Sequence, residues 1–227
     1  MKGIVVSLIV LLTLLIEILL IKNPLLGLIL YLVFMTSLYF IFSRNEKLLP
    51  LFKFVTLLLL IPLIRILQFF VSLPEYISDI VVYSILLLLT LYYLIWFKIS
   101  PRTRRNWIFL PIIVIIGVIM GLLGKFFLNE MVFLPFSLIL LISVSEELFF
   151  KSLLFETGKD VLKPFALILS LSLFYAVLHI SFGFTAFAFF LLFSLISNML
   201  YYSTRNVILS MILSSITYFI MTFSGLI

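Results

Sequence analysis

The stretch MVFLPFSLILLISVSEELFFKSLLF, residues 131–155, decides the reading of this chain. It is as apolar as a lipid-embedded segment, yet it contains Glu146, Glu147 and Lys151. An ionisable side chain at membrane depth costs roughly 2.5–3.5 kcal/mol on insertion scales, so such groups persist where they face a cavity and pair with one another. On a helix Glu147 and Lys151 stand four residues apart, share a face and can pair. Glu146 points about 100° away from them. The spacing predicts a division in which Lys151 neutralises Glu147 while Glu146 faces a cavity as the candidate general base.

The rest of the chain supplies the matching environment. Of its 227 residues 65% are hydrophobic and only 11% charged, and the mean hydropathy is +1.42. These values exclude an ordinary soluble domain and indicate a polytopic membrane protein. Crossing ~30 Å of hydrocarbon takes ~20 apolar residues, and backbone satisfaction in lipid admits only helices or closed barrels. Long apolar runs without alternation select helices. The expected fold is therefore an all-α, polytopic helical transmembrane bundle of about eight to nine spans. The candidates run over 3–21, 24–43, 48–72, 79–97, 107–128, 131–154, 164–182, 185–203 and 207–226. Residues 1–106 read as N-terminal transmembrane helices and 107–227 as a membrane core, with no soluble domain between them.

Threading nine spans in order places Lys2, Arg44, Lys47, Lys53, Lys98, Arg102, Arg104, Arg105, Lys159, Lys163 and Arg205 on one side of the membrane. Lys22 and Lys125 fall near the other. The positive-inside rule then predicts a multi-pass protein of the cell membrane with a cytoplasmic N-terminus. The net charge of +6 is largely this topology signal. Its densest piece, Lys98 to Arg105, reads as a positive-inside loop able to touch anionic lipid rather than as a nucleic-acid site. The first apolar stretch reads as a retained helix, because it is long, contains Glu17 and lacks a small-residue cleavage site before Lys22. Cysteine is absent, which removes disulfides, thiolate metal sites and a cysteine nucleophile. No P-loop, dinucleotide-binding turn or internal repeat is visible.

The remaining polar groups gather in the second half. The single histidine, His179, lies in the span after the glutamates, one helical turn beyond Tyr175. A lone intramembrane histidine is commonly a packing residue, but the aromatic on the same face and the neighbouring glutamate span point to a site.

The motif Glu146-Glu147-x-x-x-Lys151 with Tyr175-x-x-x-His179 resembles the Glu-Glu-x-x-x-Arg and Phe-x-x-x-His signature of the CAAX protease and bacteriocin-processing (CPBP) intramembrane proteases, the family of the Abi domain. Lys for Arg keeps the charge without the planar fork, and Tyr for Phe keeps the ring. Ser194, Asn198, the turn Tyr201-Tyr202-Ser203-Thr204-Arg205-Asn206 and the span from Val207 echo the family's downstream pattern, so the resemblance covers about residues 131–220. It implies an intramembrane endopeptidase of the CAAX-prenyl-protease type, acting on a membrane-associated peptide or lipidated protein. Glu146, Glu147 and His179 would be the catalytic residues, with Glu146 activating water and His179 assisting, and Lys151 and Tyr175 in support. The family's last motif, His-x-x-x-Asn, would place its histidine at Ser214 and its asparagine at Thr217 or Tyr218. With neither present, Ser214, Thr217, Tyr218 or Asn198 must supply any oxyanion donor. The same departure supports an alternative: a degenerate relative that binds without cutting, as in a bacteriocin self-immunity role.

No cofactor is expected. A zinc could be drawn on His179 and the two glutamates, but Lys151 competes for a carboxylate and catalytic zinc usually takes at least two histidines, so a metal-free water is the better reading. The expected partners are membrane lipids and the peptide substrate, with no nucleic acid. Arg65, one turn from Gln68, reads as a structural partner for a glutamate such as Glu17. Depth poses a geometric question. With straight helices Glu146 and His179 fall at different levels, and an extension of the glutamate span to Gly158, a helix tilt or a re-entrant start to the next span would bring them together.

Overall fold

The computed structural model describes residues 2–44, 49–58, 60, 75–103, 106–128 and 134–223. Over these residues the chain is a helical bundle without strands. Its helices are α1 (Lys2–Lys22), α2 (Pro24–Arg44), α3 (Leu49–Leu58), α4 (Glu75–Trp96), α5 (Leu110–Phe127), α6 (Phe136–Glu147), α7 (Pro164–Leu178), α8 (Phe184–Thr204) and α9 (Val207–Phe223). The helical path of α6 continues as a π-helix over Leu148–Phe155 and a last α-turn, Glu156–Gly158. Among the described residues five helices, α1, α2, α4, α8 and α5 with its leading turn, are long and apolar enough to cross a membrane by themselves. Helices α7 and α9 are apolar but shorter. Much of the expected span 48–72, with Arg65 and Gln68, lies outside the described residues, as do Lys47, Arg104 and Arg105.

Local sequence sets the breaks. Proline occupies the first helical turn of α5 and α7, where its missing N–H costs nothing. Between α1 and α2, Asn23 accepts the Leu26 N–H at 3.2 Å and Pro24 follows at once, so the chain turns back as a hairpin. After α8, Arg205 adopts the left-handed conformation at φ 52°, the geometry that ends many helices. The Asn206 side chain then accepts the Ile208 N–H at 3.0 Å to start α9. The expected boundaries shift most in two places. The glutamate span begins at Phe136, and its helical path continues beyond the expected membrane exit at residue 154 to Gly158; the next span gives way to a 3-10 turn at Ile180–Phe182 before Gly183, whose φ of 105° favours glycine.

Packing in lipid depends on shape rather than on hydrophobic contrast, and small residues let helix backbones approach. Gly117 and Gly121 of α5 do this against α9: a Cβ at Gly121 would come within 2.5 Å of Ile220 Cβ, and one at Gly117 within 2.9 Å of Ile216. Helix α9 in turn packs on α6, α6 on α4, and α7 on α8. The α4–α9 helices thereby enclose the polar interior, while α1 and α2 present Ile4, Leu25, Leu32 and Phe40 on their outer surface.

Candidate active site

Both glutamates arrive at the C-terminal end of α6, each 2% exposed. One turn earlier α6 is an ordinary helix. Ser145 then turns its hydroxyl onto the Leu141 and Ile142 carbonyls, in competition with the helix's own ladder, and the chain converts to the π-helix that carries Lys151. Such widened turns recur at functional sites because they re-aim side chains. Glu146 and Glu147 are the last two residues before the π-helix, and as neighbours about 100° apart on the α-helix they point into two different sets of partners.

Glu147 sits in a small hydroxyl and amine cluster. Ser214 of α9 donates to its Oε1 at 2.6 Å, and Ser197 of α8 lies 3.3 Å from the same oxygen. Lys151 Nζ stands 3.8 Å from Oε2, so the two residues four apart do meet, but the ammonium makes its short bond elsewhere, to Asn198 Oδ1 at 2.6 Å. Asn198 is held for that role by donating to Ser172 at 2.8 Å and Ser194 at 3.2 Å. A buried ammonium is thus matched by a carboxylate and an amide oxygen, the kind of satisfaction that buried charge requires.

Glu146 lies in a cradle of phenols. Tyr175 of α7 donates to Oε2 at 2.7 Å, Tyr218 of α9 donates to the same oxygen at 2.9 Å, and Tyr83 of α4 donates to Oε1 at 3.1 Å. The Tyr175 and Tyr218 hydroxyls also touch each other at 2.7 Å. The expected open cavity around Glu146 is therefore closed over by three tyrosines in this conformation. His179 lies beside the cradle: its ring is 5.0 Å from that of Tyr175 and stacks on Phe190 at 3.7 Å. His179 Nδ1 is 3.0 Å from the Tyr175 carbonyl. A carbonyl only accepts, so Nδ1 carries the proton and, in neutral imidazole, Nε2 is the accepting nitrogen.

The depth question resolves through the longer helix. Glu146 lies twelve residues before Gly158 and Tyr175 eleven after Pro164, so the two side chains meet at similar levels, and His179 follows one turn on. Of the residues singled out in the sequence, Glu146, Tyr175 and His179 form one group and Glu147, Lys151, Asn198 and Ser214 an adjoining one. Thr217 is turned aside, its hydroxyl 3.4 Å from the Gly117 carbonyl of α5. The structure adds Tyr83, Ser197 and Phe190. Ser197 lies one residue before Asn198 and was within reach of a helical reading. Tyr83 sits in a helix rich in lipid-facing aromatics, and nothing in the sequence separates it from them. Among the described residues no three histidine or acidic side chains form a metal-ligand group.

No curated protein and no solved structure gives a significant match to the chain. Residues 128–220 match the family model described as type II CAAX prenyl endopeptidase Rce1-like, the segment that holds the two glutamates, the lysine, the histidine and two of the three tyrosines. The segment that supplies every residue of this site except Tyr83, residues 128–220, is thus similar to the Rce1-like family of type II CAAX prenyl endopeptidases.

Proposed function

We propose that the chain is an intramembrane endopeptidase of the cell membrane, N-terminus cytoplasmic, that hydrolyses a peptide bond of a lipidated or membrane-associated peptide with water activated by Glu146. The observation that carries this reading is the convergence on one buried carboxylate of Tyr175, Tyr218 and Tyr83, beside His179 and a second, lysine-paired carboxylate. Burial of so many ionisable groups in an apolar bundle costs stability that a merely structural helix has no reason to give up.

The Glu146 carboxylate takes a proton from water while the resulting hydroxide attacks the scissile carbonyl carbon. His179 orients that water through Nε2. The tetrahedral intermediate collapses as the C–N bond breaks, and Glu146 returns its proton to the leaving amine. Glu147, Lys151 and Asn198 fix the electrostatic frame. Of the four candidates to replace the family's last motif, Ser214 is committed to Glu147, Asn198 to Lys151 and Thr217 to Gly117. The Tyr218 hydroxyl is bonded too, but to Glu146 itself, the carboxylate that activates the water, and we assign it the oxyanion donor on that position. No metal enters this scheme.

A second reading, binding without cleavage, is favoured by the Ser214 hydroxyl at 2.6 Å from Glu147, where the family pattern has a histidine. The two readings part in one assay: purified, reconstituted protein is incubated with prenylated and unlipidated peptides, with and without chelator. Chelator-resistant cleavage supports the peptidase. Peptide that binds and stays intact supports the binder, and cleavage lost with chelator contradicts the metal-free scheme.

A further inference from the structure

A second polar assembly lies on the basic face of the bundle, ten residues along the chain from Glu146. Glu156, its side chain 5% exposed, accepts Tyr201 at 2.9 Å, pairs with Arg102 at 3.2 Å and Arg205 at 3.4 Å, and also pairs with Lys159. The segment leading into α5 is tied to the α8–α9 turn by Val207 N–H to the Arg102 carbonyl at 2.9 Å and by Asn106 to the Thr204 carbonyl at 3.1 Å. Arg102, Glu156 and Lys159 of this assembly also line an open cavity of about 670 Å³, together with Lys53, Lys98 and Asp160, among others.

The charges do not balance. Glu156 is consumed by its own cations, leaving Asp160 against Lys53 and Lys98. Lys53 rests its ammonium 3.9 Å above the Phe97 ring, and among the described residues no carboxylate lies within ion-pair distance of Lys53 or Lys98. Lys98 is held with φ at 53°, an uncommon conformation for a side chain of its kind. Trp96 and Trp107, 67% and 45% exposed, flank this segment in sequence, and exposed tryptophans mark the headgroup level of a bilayer. A volume of this size is typical of ligand sites, and basic pockets between transmembrane helices take phosphate-bearing headgroups.

We infer that this cavity binds a phosphate-bearing anion between Lys53, Lys98, Arg102 and Lys159, presented at headgroup depth. The site is distinct from the glutamate pair and stands independently of the peptidase reading. The test uses the full chain in detergent micelles, with wild type compared against Lys53→Gln/Lys98→Gln and a control, Lys125→Gln, on a lysine expected near the opposite face. Lipid retention is read by native mass spectrometry with phosphatidylglycerol and phosphatidylcholine of equal chain length, and thermal stability is read with inorganic phosphate. Preferential retention of phosphatidylglycerol, weakened about tenfold or more in the double variant and unchanged in the control, supports the site with a lipid source. Stabilisation by inorganic phosphate alone, lost in the double variant, supports it with a soluble source. Binding of neither probe, or binding that the double variant leaves intact, overturns the proposal. The exposed lysines are not needed for folding, so the melting temperature without ligand should stay at the wild-type value.

Discussion

Two buried glutamates of this protein, Glu17 in the α1–α2 hairpin and Glu146 at the end of α6, are each held by a tyrosine hydroxyl at 2.7 Å. Glu17 is 0% exposed and Glu146 2%. By burial and nearest donor alone they are the same kind of residue, and by sequence alone both are acids in an apolar run. What separates them is the neighbourhood. Glu17 accepts Tyr31 across a two-helix hairpin whose outer faces are leucine, isoleucine and phenylalanine. Glu146 draws donors from α4, α7 and α9, and it adjoins a second carboxylate, an ammonium and an imidazole. Among the described residues one carboxylate accepts a hydroxyl across a hairpin, whereas the other takes hydroxyls from three further helices and lies beside an imidazole. A buried charge is a reason to look for function, and the chemistry gathered around it directs the search.

The largest expected effect probes the frame around Glu146. Lys151→Met leaves Glu147 buried without its ammonium, and breaking a buried pair in this way costs about 3–5 kcal/mol, visible as a large fall in thermal stability of the micellar protein. The same size of loss on removing a charge from the hairpin would erase the contrast. Next, Tyr218→Phe removes the assigned oxyanion donor, and peptide cleavage should slow by several hundredfold, about 2.7–4 kcal/mol in the barrier, with stability changed far less. Tyr31→Phe, the matching change in the hairpin, leaves a buried acceptor short of its donor at about 1–3 kcal/mol. It should lower stability and leave the cleavage rate at the wild-type value. If Tyr31→Phe slows cleavage as much as Tyr218→Phe, the hairpin belongs to the site.

The smallest effect concerns the third carboxylate, Glu156, outside the membrane-spanning segments. Partial burial raises its pKa, but hydrogen bonds from Lys159 and Tyr201 and the charges of Lys159 and Arg102 outweigh that and hold the carboxyl below the usual range. A depressed folded-state pKa stabilises the fold above the unfolded value, and that contribution is lost as pH falls through the folded value. Melting temperature should therefore decline as pH drops below about 4.3, and more gently in Glu156→Gln. A parallel decline in the variant would remove Glu156 from the account.

Much of this was legible because membrane insertion makes charge expensive. Among the described residues the helices follow apolar runs, and Glu146, Glu147 and Lys151 stand out because each costs free energy in such a run. The histidine was identified by its isolation and by Tyr175 one turn before it. The π-helix was not legible, since a spacing of four fits both an α-turn and a widened one. Its consequence, Lys151 turning to Asn198 while staying 3.8 Å from Glu147, followed only from the structure. Tyr83 was hidden for another reason. A tyrosine among leucines near Tyr92, Tyr93 and Trp96 reads as part of an interfacial belt, and only tertiary packing shows that its hydroxyl faces inward. Ser214 and Asn198, expected to face the reacting carbonyl, are instead occupied by Glu147 and Lys151 because those buried charges need partners more than an empty site does.

The most direct measurement compares Glu146→Gln with Glu17→Gln in the reconstituted protein, reading peptide cleavage and melting temperature side by side. A glutamine keeps an acceptor for the tyrosine hydroxyls, so both variants should fold. General-base catalysis typically contributes 10²–10⁴-fold, and the account predicts that cleavage falls by that much in Glu146→Gln and stays at the wild-type rate in Glu17→Gln. Cleavage that survives in a folded Glu146→Gln variant would contradict the assignment of the base, and with it the claim that the convergence around Glu146 is what makes this bundle an enzyme.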